Sequence, residues 1–160
     1  MTKRESAGRL QQSIVDLHRI INSRKLHEVR ADRSGVDVTP VAARVLRHVV
    51  DEGPVRPGGL ADRLRMQPNA LSRHLKRLEA EGCIERVPTP GDGRGSLLRA
   101  TRRGKALVHR LEAADEEILA EQLRAWSAAD LDQLVTLFDR LIHDLRAPPS
   151  ARRPPRKEAR

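Results

Sequence analysis

Asn69, Ser72, Arg73, Lys76 and Arg77 fall within "MQPNALSRHLKRLEAEGCIERV", residues 66–87. These side chains suit a polyanion that also presents base edges. Asparagine pairs with the edge of adenine, arginine with O6 and N7 of guanine, and serine with a base or a phosphate. Between them stand Leu71, Leu75 and Leu78, at i, i+4 and i+7, a spacing that makes one apolar stripe on a helix. Pro68 suits a first helical position, where its missing N–H is no loss, with Gln67 as a weak cap. Gly82 suits a left-handed C-terminal position. The stretch therefore predicts a helix over 68–81, its leucine edge buried and its basic edge free. The N-terminus of such a helix favours phosphate through its free N–H groups.

Taken alone, that basic edge also reads as an ordinary solvated helix face laced by pairs such as Arg77 with Glu81. The next residues change the balance. "CIERVP" and "SLLRAT" are short apolar-rich runs, and the "TPGDGRG" between them contains D-G and two further glycines. This predicts a β-hairpin with a mobile tip. A glycine-rich ribbon carrying Arg94 can reach into a narrow minor groove, where the potential is most negative. The alternative is a plain turn with an exposed arginine, in which Asp92 only makes the turn. The groove reading is preferred because the tip follows the basic helix directly.

The elements that must hold these residues are legible as periodic runs. Leu10, Ile14, Leu17 and Ile21 predict an amphipathic helix over about residues 8–28, followed by a loop at "RADRSGVDV". Thr39 and Pro40 open a second helix that buries Val45, Leu46, Val49 and Val50 and ends at Gly53-Pro54. A short helix over 57–65 turns Leu60, Ala61 and Leu64 inward; its two glycines leave packing to hold it. After the hairpin, Thr101 caps a long helix to about Arg124, with Leu107, Leu111, Ala114 and Ile118 inward. Ser127 to Asp130 form a capping box, with Asp in place of Glu, that opens a last helix. That helix carries Leu131, Leu134, Phe138, Leu141 and Leu145. The end, "APPSARRPPRKEAR", is proline-rich and basic and is expected to be disordered. The fold class is mainly α with a small β-hairpin wing (α+β): a winged helix-turn-helix flanked by N- and C-terminal helices.

Charge is divided along the chain. Lys plus Arg minus Asp plus Glu gives +3 for 1–53, +6 for 54–103, −4 for 104–146 and +4 for 147–160, within a total of +9. A chain that turns one face to a polyanion has this split. The tail reads either as a solubilising end or terminal remnant, or as an arm for non-specific DNA contact. With no Tyr, one Trp and one Phe, the core must be aliphatic. No apolar run approaches the ~20 residues of a membrane span, and no secretory signal follows the first basic residues. Cys83 is the single cysteine, which excludes an intrachain disulfide and reads as a small core hydrophobe. A cytoplasmic location is expected, with no membrane partner. The six histidines are scattered, without metal-ligand spacing, and no catalytic constellation is visible. No cofactor, metal or enzymatic activity is expected.

"TPVAARVLRHVVDEGPVRPGGLADRLRMQPNALSRHLKRLEAEGCIERVPTPGDGRGSLLRATRRGKAL" resembles the winged-helix core of the MarR family of transcriptional regulators. The likeness extends through "WSAADLDQL" to most of the chain. The pieces that carry it are "LADRL", "LSRHLKRLEAEGCIERV", the D-x-R of Asp92-Gly93-Arg94, and "ATRRGKAL". The resemblance implies a homodimer on double-stranded DNA, its recognition helices in successive major grooves roughly 10 bp apart on a palindromic operator. It implies an N-terminal dimerisation helix and loop in 1–37, a DNA-binding domain in 38–104 and C-terminal dimerisation helices in 105–146. By position, Asn69, Ala70, Ser72, Arg73 and Lys76 match the family's groove-facing residues, and Arg94 its wing arginine. A sequence-specific regulator, a repressor in preference to an activator, is the expectation. The alternative is an architectural DNA coat or a protein-interaction module. Relief by a small lipophilic or phenolic ligand is a family trait, for which this chain offers little aromatic lining. A wholly aliphatic pocket, or no ligand, stays open.

Overall fold

Three prolines set the starts of the helices that matter most. In the computed structural model, α3 (Pro40–Glu52), α4 (Pro57–Leu64) and α5 (Pro68–Ala80) each begin on proline, where a fixed φ is already helical. Thr39 caps α3 by accepting the Ala42 N–H. Arg56 and Gln67 precede α4 and α5 without a side-chain cap bond, so packing anchors those two helices. Their buried stripes are Val45, Leu46 and Val49 from α3, Leu60, Ala61 and Leu64 from α4, and Leu71, Leu75 and Leu78 from α5, as expected except that Val50 is only half-buried, packed against the edge of the core. The structure describes residues 2–89 and 92–146, without the side chains of 92–94; the expected hairpin tip and basic tail lie outside or partly outside that range.

The described residues fall into two compact units, one up to Leu119 and one from Ala120. In the first, α1 (Lys3–Ile21) and α2 (Arg24–Ser34) replace the single helix and loop expected for residues 8–38. The break is local chemistry. Asn22 closes α1, and the Ser23 side chain accepts the Leu26 N–H to start α2. Gly35, at φ 61°, stops α2 in a left-handed conformation, which glycine adopts without strain. At the other end, α1 starts earlier than expected because Thr2 and Glu5 form a reciprocal capping box. The core is aliphatic throughout: Val36 and Val38 join the stripes of α3 to α5, with Cys83, Ile84, Leu98, Ala100, Val108 and Leu111.

The hairpin pairs β1 (Ile84–Thr89) antiparallel with β2 (Asp92–Ala100), from Ile84 opposite Ala100 to Pro88 opposite Ser96. Beyond Pro88 the register jumps, and Thr89 pairs with Asp92. Thr89 and residues 92–95 of the expected loop therefore belong to the strands, with the extra residues of β2 accommodated as a bulge. Val55 exchanges two backbone hydrogen bonds with Leu98, at 3.0 and 2.8 Å, and ties the α3–α4 corner to the hairpin. The helix α6 (Arg102–Gln122) leaves the hairpin through Thr101, whose hydroxyl donates to Gly82 O at 2.6 Å and accepts the Gly104 N–H at 3.1 Å. A Cβ on Gly104 would lie 2.0 Å from Cys83 O; no other residue fits there without movement. The buried line of α6 is Gly104, Val108, Leu111, Ala114 and Ile118.

In the second unit, the Ser127–Asp130 box forms as expected: the Asp130 N–H donates to Ser127 Oγ at 3.2 Å, and the Ser127 N–H to Asp130 Oδ2 at 3.1 Å. It opens α7 (Ala128–Arg146), none of whose residues is buried. Among the described residues, no helix is long and apolar enough to cross a membrane.

Candidate nucleic-acid interface

The helix α5 resolves its mixed composition by facing. Leu71 and Leu75 are 2% exposed and Leu78 is fully buried. Burying such side chains contributes roughly 1.5–3 kcal/mol each, enough to fix how the helix is turned. That fixed rotation leaves Asn69, Ser72, Arg73, Lys76 and Arg77 exposed, with Ala70 half-buried at the edge. Positions 69, 72, 73, 76 and 77 are spaced by three, four, seven and eight residues and share one face. A single surface of α5 therefore carries two amide or hydroxyl groups and three cations.

The cations are not equivalent. Arg77 Nε lies 2.7 Å from Glu81 Oε1, the pair expected of an ordinary solvated helix face. The Glu81 hydrogen bond and charge raise the Arg77 guanidinium above its ordinary value. Arg77 must therefore share its donors with Glu81 in any outside contact. Arg73 and Lys76 carry no ion pair among the described residues, and their donors are free for a partner.

Cys83 and the α6 start hold the C-terminal end of α5. Cys83 donates its backbone N–H to Leu78 O at 2.8 Å. Its thiol is buried, which pushes it up from its ordinary value; Glu81 adds to that and Arg103 opposes it. A buried, protonated thiol packs as a small hydrophobe and is a poor nucleophile. Arg94 lies on the backbone of β2, but its side chain is outside the described residues, as is that of Asp92.

Several residues that hold this surface were not singled out from sequence. Glu52 of α3 pairs with Arg63 of α4 and stands 3.5 Å from His48 Nδ1, which links the two helices ahead of α5. Asp115 of α6 pairs with Arg30 of α2, and its second oxygen lies 3.8 Å from Arg47 of α3. Arg86 of β1 meets Glu79 of α5. Apart from His48 with Glu52, which share α3 at i and i+4, each pair joins different elements, so no helical or strand period reveals it. Among the described residues, no group of three or more His, Cys, Asp or Glu side chains is arranged to hold a metal ion.

A family model for the MarR family matches residues 36–95, the stretch from the start of the core to the bulged strand. The multiple antibiotic resistance protein MarR of Escherichia coli is 31% identical over 138 residues, which cover 82% of this chain and 96% of that protein. The chain belongs to the MarR family. An HTH-type transcriptional regulator of Mycobacterium tuberculosis is 32% identical over 113 residues, 71% of this chain and 78% of its own length. The crystal structure of wild-type E. coli MarR without ligand superposes with a TM-score of 0.64 at 26% identity, covering 79% of this chain and 94% of that one. The structure of YusO from Bacillus subtilis, at 22% identity and a TM-score of 0.65, shares the fold. This MarR-family chain is a DNA-binding transcriptional regulator, in a family of regulators rather than enzymes. The stretch that the family model matches holds the winged helix-turn-helix core, with α5 as its second helix.

Proposed function

We propose that the protein is a homodimeric, sequence-specific repressor of the cytoplasm that binds a palindromic operator. Recognition helix 68–81 enters the major groove, where Asn69, Ala70, Ser72, Arg73, Lys76 and Arg77 meet bases and phosphates. The wing over 88–96 meets the minor groove through Arg94. The observation that carries this reading is the division of α5, in which a buried leucine edge holds an exposed polar and cationic edge in one orientation. Phosphate contacts supply most of the affinity, and Asn69 and Arg73 discriminate between bases.

Dimer formation is supported by apolar faces that the chain leaves uncovered. Leu10, Ile14, Leu17 and Ile21 of α1, and Leu137, Phe138, Ile142 and Leu145 of α7, are all exposed. Faces of this kind mark contacts with another chain. The expected division of labour follows: residues 38–104 bind DNA, while 1–37 and 105–146 hold the dimer. For ligand relief the support is thinner. The cavity between α2 and α3, beside His27, Arg30 and Leu111, holds about 20 Å³, room for a single water. A phenolic or lipophilic effector there must open it.

Selection of bound duplexes from a random pool tests the reading. Enrichment of a palindrome with half-sites roughly 10 bp apart supports a sequence-specific dimer. Recovery without a common motif favours an architectural coat, and no recovery favours a protein-interaction module. Replacing Arg94→Ala weakens binding to the selected duplex and leaves the dimer intact; unchanged affinity removes the wing from the mechanism.

A further inference from the structure

Glu79 lies on the last turn of α5, half-buried. Its Oε1 is shut off from solvent without a well-aligned hydrogen bond. A carboxylate oxygen withdrawn from water needs a compensating charge. That charge comes from the wing: Arg86 Nε, on β1, stands 2.6 Å away. Through Nη1 the same guanidinium donates to Ser96 Oγ on β2, at 3.2 Å. One side chain thus joins α5 to both strands of the hairpin. Among the described residues it forms the ion pair between α5 and the hairpin. The pair Arg99–Glu85, at 2.9 Å, runs from strand to strand and does not reach the helix.

The place of this junction in the hairpin matters as much as its strength. The base of the hairpin is held by its own ladder, by Val55 on Leu98 and by Thr101 on Gly82. Ser96 pairs with Pro88 in the last regular step before the register jumps. Among the described residues the Arg86–Ser96 contact is therefore the side-chain tie between the strands that lies nearest the bulge that carries Arg94. We infer that Arg86 is a positioning residue: anchored on Glu79, it sets the angle between recognition helix and wing and so fixes where the wing tip meets DNA. The inference rests on the proposed reading of α5 and the wing as the DNA-contacting parts. It assigns Arg86 a role distinct from that of a cation on the groove face, although nearly half of its side chain is exposed.

Glu79→Gln separates the two roles. It removes a negative charge, so electrostatics alone predicts equal or tighter binding to any duplex. Loss of the anchor predicts the opposite for the selected duplex, a weakening of about threefold or more. The full chain is made as wild type, Glu79→Gln, Arg86→Gln and Arg86→Lys. Each is titrated against the selected duplex and a random duplex over a range of salt. In parallel, amide hydrogen exchange is followed across 84–100 without DNA, with α3–α5 as the control for intact folding. Support is faster exchange in 84–100 for both Gln variants, weaker binding to the selected duplex for both, and partial recovery in Arg86→Lys. The inference is overturned by wild-type exchange in Glu79→Gln. It is also overturned if Glu79→Gln binds as tightly as wild type while Arg86→Gln loses about one unit of salt slope, the mark of a phosphate contact. If wild type itself prefers no sequence, the proposed function fails, and the exchange measurements still decide whether Arg86 holds the wing.

Discussion

The helices α5 and α7 are both amphipathic, and the chain treats them in opposite ways. The leucine edge of α5 is buried within 2% of completely, whereas Phe138 and Leu145 of α7 are 40% and 69% exposed. In α5 the chain satisfies the apolar side itself and leaves the polar side for a partner. In α7 the apolar side is what remains. The proposed reading gives the two helices different partners: a charged, hydrated one for α5 and an apolar one for α7. The charge division agrees, with +6 over residues 54–103 and −4 over 104–146. A polyanion is drawn to the first stretch and repelled by the second.

The comparison breaks first at the leucines. Leu78→Ala removes a fully buried side chain and lowers the unfolding free energy by about 2–5 kcal/mol, measured by urea denaturation followed by circular dichroism. A loss as small as that of a surface change contradicts the burial of the α5 edge. Gly104→Ala places a methyl group against the Cys83 carbonyl and lowers stability by about 1–3 kcal/mol in the same assay, with the damage reaching the C-terminal end of α5. For α7 the expected effect is on association. Phe138→Asp with Leu145→Asp weakens self-association by at least about tenfold in sedimentation experiments, while helix content at high concentration stays near that of wild type. Unchanged association moves the apolar contact elsewhere.

The smallest effect is on the start of α7. The Ser127 hydroxyl and backbone N–H hold the Asp130 carboxyl below its ordinary value. A carboxylate with a lowered folded pKa adds stability above its unfolded value and loses it as the pH falls through the folded one. Helix content of α7 therefore declines slightly as the pH drops below the usual carboxylate range, and Ser127→Ala flattens that decline. An identical acid profile in both proteins removes the box from the account.

Legibility followed the reach of the interactions. The stripes of α3, α4 and α5 could be read because proline starts, glycine stops and a 3.6-residue period all agree over short stretches. The division of α1 from α2 was missed because it turns on one serine hydroxyl and one asparagine within a polar run, where no apolar period is interrupted. The second wing strand ran longer than expected because pairing, rather than glycine content, decides where a ladder ends. On the site itself, the exposure of Asn69, Ser72, Arg73, Lys76 and Arg77 follows from the leucine spacing alone. Glu79 with Arg86, Asp115 with Arg30, and Gly104 against Cys83 depend on which elements meet in space. Gly104 did stand in a motif that marked the family resemblance, but only the approach of the Cys83 carbonyl gives its reason.

The central claim is that the exposed edge of α5 reads DNA sequence. The most direct test compares Arg73→Ala with wild type on the selected duplex and on a random duplex, at one salt concentration. The account predicts a loss of about 1–3 kcal/mol on the selected duplex and a smaller loss on the random one, so that discrimination shrinks. Unchanged affinity for both duplexes contradicts it.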